Sequence, residues 1–274
     1  MSESPLVQVS ELKPPYLLFD TRPAPAYAAG HLPGALHADL DRDLAGPADI
    51  PARGGRHPLP DPAAWAARLA SWGIRPETRV VIYDDQGGAN AAARMWWMLR
   101  SVGHEHAFVL DGGLQAAIAA GWQTTIEAAD ASPAAVGPAR PFSWPQATID
   151  EVDERRDIAG HLVLDVRAAP RYRGEVEPLD PVAGHIPGAR NLPLTENLGP
   201  DGRFLSPEAL RRQYQALLGD VPPERLVVHC GSGVTACHTL LALEIAGLHG
   251  AALYVGSWSE WCRSGRLQAT GATP

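Results

Sequence analysis

Cysteine is scarce in this chain: three residues, Cys230, Cys237 and Cys262, among 274. So small and odd a count excludes the disulfide framework of a compact secreted scaffold. Long apolar runs are missing as well, none approaching the ~18 residues of a membrane span. Positive charge is outweighed, with a formal net charge of −8, which argues against nucleic acid or an anionic membrane as partner. The opening residues MSESPLVQVSELKPP hold no basic segment followed by an apolar one. No secretory signal is therefore predicted, and cytoplasmic residence is the expectation. What is present, 45% hydrophobic and 20% charged residues, is a globular mixture, and the length predicts two domains of about 150 residues each.

The chain repeats itself. Leu17-Leu18-Phe19-Asp20-Thr21-Arg22 returns as Leu162-Val163-Leu164-Asp165-Val166-Arg167. Gly30-His31-Leu32-Pro33-Gly34-Ala35 returns as Gly184-His185-Ile186-Pro187-Gly188-Ala189, and Arg79-Val80-Val81-Ile82-Tyr83-Asp84 as Arg225-Leu226-Val227-Val228-His229-Cys230. Order and spacing are kept at an offset of about 150 residues, too long for a solenoid unit, so a duplicated domain is predicted. Residues 127–145, rich in Ala, Pro and Gly, read as an extended linker between domains spanning 1–126 and 146–274. Short aliphatic runs at 162–166 and 226–229 have the character of buried parallel strands. A helix is expected over 235–246, stopped by Gly247, with a strand resuming at 253–255. Strand, helix, strand predicts an α/β fold with a mainly parallel β-sheet flanked by helices in each half.

The chemistry concentrates in Val227-Val228-His229-Cys230-Gly231-Ser232-Gly233-Val234-Thr235-Ala236-Cys237. A buried strand ends on a cysteine, glycines follow and a helix begins, and ligand sites of open α/β sheets lie at such strand ends. Glycines let the backbone curl so that N–H groups point inward, and the helix start adds partial positive charge. Both favour a thiolate at Cys230, or the negative charge of a persulfide on it. The alternative is a small buried hydrophobe. A cysteine phosphatase needs an arginine after five intervening residues to grip phosphate; Ala236 stands there, so that chemistry is disfavoured.

The two copies of Asp-x-Arg and Gly-His-[Leu/Ile]-Pro-Gly-Ala, with the Cys-Gly-Ser-Gly-Val-Thr loop, resemble the tandem rhodaneses over nearly the whole chain. The loop and Gly-Ser-Trp-Ser-Glu-Trp at 256–261 resemble the 3-mercaptopyruvate sulfurtransferase branch; thiosulfate-preferring members usually carry Cys-Arg-Lys-Gly-Val-Thr. The resemblance implies two rhodanese-like domains, the first inactive because Asp84 replaces the cysteine. Ser232 and Gly233 in place of Arg-Lys remove two cations from beside the sulfur, a loss that weighs more on dianionic thiosulfate than on a monocarboxylate.

Arg171 matches the family's substrate-binding arginine; the alternative is a surface residue. Animal mercaptopyruvate enzymes often carry another arginine nine residues on, where Asp180 stands here, leaving Arg190 or another basic residue to compensate. His57 and Asp41 resemble positions proposed to join the loop serine, His57 polarising Ser232 and Asp41 orienting the imidazole, to protonate the enolate left when sulfur departs. An exposed loop histidine is the competing reading. The backbone of Gly231, Gly233, Val234 and Thr235 is expected to bind the donor sulfur. Asp20–Arg22 and Asp165–Arg167 read as structural ion pairs, because the inactive half keeps them, and His31 and His185 as turn residues. Cys237 reads as packing, Cys262 as an inert or oxidisable thiol, and Trp96-Trp97 as helix core.

The expected activity is ping-pong sulfur transfer: Cys230 takes sulfur from 3-mercaptopyruvate and passes it to a thiophile such as cyanide, a small thiol or reduced thioredoxin. No metal or organic cofactor is implied. The alternatives are a thiosulfate:cyanide sulfurtransferase and a non-catalytic binding module.

Overall fold

The computed structural model describes residues 4–273, and the chain divides into two compact units. The first holds the residues up to Gly46, Leu59–Trp144 and Pro200–Phe204; the second holds Pro47–Pro58, Pro145–Gly199 and the chain from Leu205 onward. The main break between the units lies between Trp144 and Pro145, while two short segments belong with the opposite unit. Residues 127–145 contain almost no regular structure. They lie along the first unit, where the Ala134 N–H donates to the Ala70 carbonyl and the Ser143 N–H to the Ser101 carbonyl, each at 2.8 Å.

In the first unit, β1 (Leu6–Val7), β2 (Leu17–Asp20), β3 (Ala35–His37), β4 (Val80–Tyr83) and β5 (Ala107–Leu110) form one sheet in the order β1-β5-β4-β2-β3. In the second, β6 (Leu162–Asp165), β7 (Arg190–Asn191), β8 (Leu226–His229) and β9 (Ala252–Leu253) follow the order β7-β6-β8-β9. Every pairing is parallel. The second order repeats the first with β1 left out, and a single parallel bridge between Gln146 and Leu253 takes its place. The central strands β4 and β8 are buried at every residue, as parallel strands covered on both faces must be. The strand expected at 253–255 is shorter than predicted, because past Leu253 only the Tyr254 N–H continues the ladder, to the Val228 carbonyl at 2.9 Å.

Ten helices pack around these sheets among the described residues. In the first unit, α1 (Ala24–Ala29), α2 (Leu40–Asp43), α3 (Pro62–Ser71), α4 (Ala92–Ser101) and α5 (Gly113–Ala119) flank the strands. Trp96 and Trp97 on α4 are buried as expected. In the second unit the helices are α6 (Ile149–Arg155), α7 (Ala169–Tyr172), α8 (Pro207–Leu218), α9 (Ala236–Ile245) and α10 (Ser257–Trp261). Helix α9 buries Ala236 through Leu243 without a break, so it is enclosed by protein, not surface-lying. Its end is marked by Gly247 at φ +68°, a conformation that costs glycine least. Val163, Ile186, Val227, Trp258 and Trp261 form the second unit's apolar cluster.

Both Gly-His-x-Pro-Gly turns serve the fold. His31 and His185 stack on Tyr27 and Tyr172 at 3.8 Å between ring centroids, each with Nδ1 2.9 Å from that tyrosine's carbonyl oxygen. Arg22 and Arg167 pair with Asp20 and Asp165, each at 2.6 Å.

Candidate active site

Strand β8 delivers Cys230 to the carboxyl edge of the second sheet, where it is 1% exposed. The loop to α9 turns at Gly233, φ +76°, where a Cβ would be driven into the Val255 carbonyl. That turn aims the Gly233 N–H at Cys230 Sγ, 3.2 Å away. Val234 and Thr235 spend their carbonyls on the Cys237 and His238 N–H groups. Cys237 is fully buried and turned to the Gly233 carbonyl, and the three cysteines are unbridged.

Helix α10 explains the Gly-Ser-Trp-Ser-Glu-Trp motif. Ser257 Oγ accepts the Cys230 N–H at 3.2 Å, the Trp258 N–H donates to the Cys230 carbonyl at 3.0 Å, and the Ser259 N–H to the Gly231 carbonyl at 2.8 Å. The same helix holds the segment carrying His57: Glu260 accepts the Gly54 N–H at 2.8 Å, and Ser259 Oγ accepts the Arg56 N–H at 3.1 Å. Gly55, at φ +78°, lies against the Gly256 carbonyl. His57 therefore reaches the loop, with Nδ1 2.7 Å from Ser232 Oγ. With the imidazole protonated on Nε2, Nδ1 accepts the serine O–H; in the other tautomer it donates. His57 thus belongs to the second unit, not the first domain where the chain order had placed it, because Pro47–Pro58 folds with that unit. Asp41 lies in the first unit, in the first turn of α2.

Arg171, on α7, donates from Nη2 and Nε to Glu177 at 2.6 and 3.2 Å. Asp180, with its side chain shut off from solvent, binds Arg56 Nη1 and Arg263 Nη1, the latter at 2.7 Å, and lies 3.9 Å from Arg171. Asp180 is therefore an anchor for cations. Arg190 does not compensate for it, since its guanidinium turns to the Leu217 carbonyl at 2.9 Å. Arg56, Arg263 and Glu177 were not singled out from the sequence; the only signal was that Arg56 adjoins His57.

Beneath the loop, His229 is fully buried with Nδ1 3.2 Å from the Cys230 carbonyl and Nε2 3.8 Å from Asp165. Burial lowers its pKa, against the pull of Asp165 and with Arg167 adding to the fall. Burial resists ionisation of Asp165, yet the Arg167 guanidinium and His229 bring its carboxyl below the ordinary value. Burial, with Asp180 adding, pushes the Cys262 thiol up, which keeps it protonated and unreactive. Among the described residues no cluster of His, Cys, Asp and Glu has the arrangement of a metal site. None of their helices is long and apolar enough to cross a membrane.

The first unit shows what such a loop does when the cysteine is replaced. Asp84 follows β4 as Cys230 follows β8, and its carboxylate accepts the N–H groups of Gln86, Gly88, Asn90 and Ala92 at 2.8, 2.8, 2.7 and 3.3 Å. The loop of the repeat is a ring of N–H donors around an acidic side chain.

Residues 8–120 and 148–264 match the rhodanese-like domain family. The chain belongs to that family. It is 46% identical over 279 residues to the "Probable 3-mercaptopyruvate sulfurtransferase" of Pseudomonas aeruginosa, covering 95% of this chain and 96% of the relative. It is 36% identical over 241 residues to the thiosulfate sulfurtransferase of Bos taurus, covering 86% of this chain and 78% of the relative. The solved 3-mercaptopyruvate sulfurtransferase from Leishmania major superposes with a TM-score of 0.75 at 34% identity, over 90% of this chain and 70% of that one. Two rhodanese-like domains, each a parallel sheet flanked by helices, are thus the fold of this protein.

Proposed function

We propose that this rhodanese is a sulfurtransferase that takes sulfane sulfur from 3-mercaptopyruvate as a Cys230 persulfide and hands it to a thiophile. The observation that carries the reading is Ser232 Oγ at 2.7 Å from His57 Nδ1, on the loop whose Gly233 N–H meets the Cys230 sulfur at 3.2 Å. The Cys230 thiolate attacks the donor sulfur, forming an S–S bond as the C–S bond breaks and its electron pair passes to carbon. That leaves pyruvate enolate, which takes a proton on its methylene carbon, while the S–H proton of the donor leaves the new persulfide. The Ser232–His57 pair lies beside the loop to move this proton. The family resemblance extends the pair to Asp41, a role that Asp41→Asn tests through kcat.

The backbone of Gly231, Gly233, Val234 and Thr235 holds the outer sulfur in this reading, and Arg171 grips the donor carboxylate through guanidinium hydrogen bonds. The Asp84 loop supports the cradle. A carboxylate oxygen stands two bonds beyond Cβ, as the outer sulfur of a persulfide does, and four N–H groups surround that carboxylate. Acceptors would be cyanide, small thiols or reduced thioredoxin in a cytoplasmic setting.

The test is kcat/KM for 3-mercaptopyruvate and for thiosulfate, each with cyanide as acceptor. The reading expects a large preference for mercaptopyruvate and no transfer from either donor by Cys230→Ser. A thiosulfate preference would make the protein a thiosulfate sulfurtransferase, and inactivity with both would leave a binding module.

A further inference from the structure

The first unit holds a cavity of about 130 Å³ between α3, the turn that follows α4 and residues 135–140 of the segment joining the domains. Trp65, Leu69, Ile74 and Val102 give it apolar walls. The joining segment is tied down on either side of this stretch, by the Ala134 N–H to the Ala70 carbonyl and the Ser143 N–H to the Ser101 carbonyl. Residues 135–140 fall outside both matches to the rhodanese-like domain, so this wall is not part of the repeated fold.

Two lining side chains carry a polar atom with no hydrogen-bond partner among the described residues, Trp65 Nε1 and His104 Nε2. Trp65 is 1% exposed and His104 7%, and buried polar atoms are costly to leave unmet. The indole N–H is a donor. Burial lowers the His104 pKa, against a hydrogen bond from the ring to the Thr78 backbone. At neutral pH the imidazole thus carries one proton, and with that proton turned to Thr78 its Nε2 is an acceptor. A hydroxyl group, which accepts and donates at once, answers both nitrogens. On the solvent side of the cavity stand the exposed Arg75 and Arg140. Arg140 Nη1 lies 3.2 Å from the point where a Cβ on Gly103 would stand. Among the described residues no carboxylate lines the cavity.

We propose that this cavity binds a small phenolic carboxylate, a single aromatic ring with a hydroxyl at one end and a carboxylate at the other. An apolar cavity of about 150 Å³ takes up one benzene, so the space here admits one ring and little more. The hydroxyl accepts from Trp65 and donates to His104, and the carboxylate takes guanidinium hydrogen bonds from Arg75 and Arg140. An aliphatic acid would satisfy the arginines and leave the two buried nitrogens unmet; a neutral phenol would do the reverse. Every residue named belongs to the first unit, which carries Asp84 in place of the cysteine. The assignment therefore stands apart from the sulfur transfer proposed for Cys230.

The full-length ¹⁵N-labelled protein is titrated with 4-hydroxybenzoate, 4-hydroxybenzamide and benzoate. The Trp65 indole N–H, assigned through α3, is followed in ¹H–¹⁵N spectra. With 4-hydroxybenzoate it is expected to move downfield and saturate, with Kd on the order of 1 mM or below, as ten non-hydrogen atoms allow. Benzoate and 4-hydroxybenzamide each lack one polar end and should bind about tenfold more weakly. Arg140→Gln is expected to weaken 4-hydroxybenzoate about tenfold, the worth of one charged hydrogen bond, and to leave the amide unchanged. Arg75→Gln should do the same, and if either variant does not fold, the three ligands on the wild type decide alone. No movement of the Trp65 resonance at about 10 mM 4-hydroxybenzoate overturns the site and leaves water as the partner of both nitrogens. Equal affinities for the acid and the amide, or for 4-hydroxybenzoate and benzoate, overturn the ligand class.

Discussion

Ser232 and His57 have a consequence that depends on the leaving group. Pyruvate leaves as an enolate that must be protonated on carbon, whereas sulfite departs from thiosulfate as a stable anion. The pair at 2.7 Å is therefore needed for one donor and dispensable for the other. Ser232→Ala and His57→Ala are expected to reduce kcat with mercaptopyruvate by about 10²-fold or more, the usual worth of a positioned proton-transfer group. With thiosulfate the loss should stay within a few-fold. Equal losses with both donors in steady-state assays would show that the pair only shapes the loop. At this scale the sequence exposed Cys230, Ser232, His57 and Arg171 but not Arg56, Arg263 or Glu177. Cys230 is legible because strand, cysteine, glycine and helix are contiguous, and Arg171 because it sits in a short motif. Arg56 is not, because it is placed by pairing with Asp180 across 124 residues.

At the scale of the element, the loop and α10 form one hydrogen-bonded piece. Both polar groups of the Cys230 backbone are taken, the N–H by Ser257 and the carbonyl by the Trp258 N–H. The motif at 256–261 was visible in the sequence as a resemblance; its physical purpose, clamping the loop and residues 54–56 together, appears only when the chain folds back. Gly233→Ala places a methyl group against the Val255 carbonyl at φ +76°. It is expected to cost about 2–4 kcal/mol in urea unfolding and to abolish persulfide formation, since the loop must open to admit it. The Asp84 loop allows the converse test. Asp84→Asn keeps one acceptor oxygen but turns an NH₂ group toward two of the four N–H donors, leaving two donors facing a third. A loss on the order of 2–5 kcal/mol is expected from the first unit, while the folded fraction keeps its specific activity. An unchanged denaturation midpoint would show that the carboxylate is not needed to hold that ring closed.

For the whole molecule, the duplication was the most legible feature, because paired motifs at a constant offset survive whatever the fold. The strand order, β5-β4-β2-β3 against β9-β8-β6-β7, bears it out. The exchange of Pro47–Pro58 and Pro200–Phe204 between units was not legible, since short Pro- and Gly-rich segments carry no periodicity to show where they pack. Global stability should also bear the mark of the buried histidines. Burial is the chief cause that lowers the pKa of His229, and of His104 in the first unit likewise. In the unfolded chain each titrates near 6.5; in the fold the pKa is lower, so unfolding takes up protons in the interval between. Stability is fully present above about pH 6.5 and falls as pH drops below it, by at most about 1.4 kcal/mol per pH unit for each group. His229 faces Asp165, Arg167, His185 and Tyr254; of these, Asp165 loses one of the charges that lower its pKa when His229 is replaced, but Arg167 still holds it down. His229→Asn can still donate to the Cys230 carbonyl but cannot titrate. Its melting temperature should therefore vary less between pH 7 and pH 5.5 than that of the wild type, whatever its absolute value. Parallel curves for the two proteins would mean that His229 takes up its proton as readily in the fold as in the unfolded chain, and that burial does not lower its pKa.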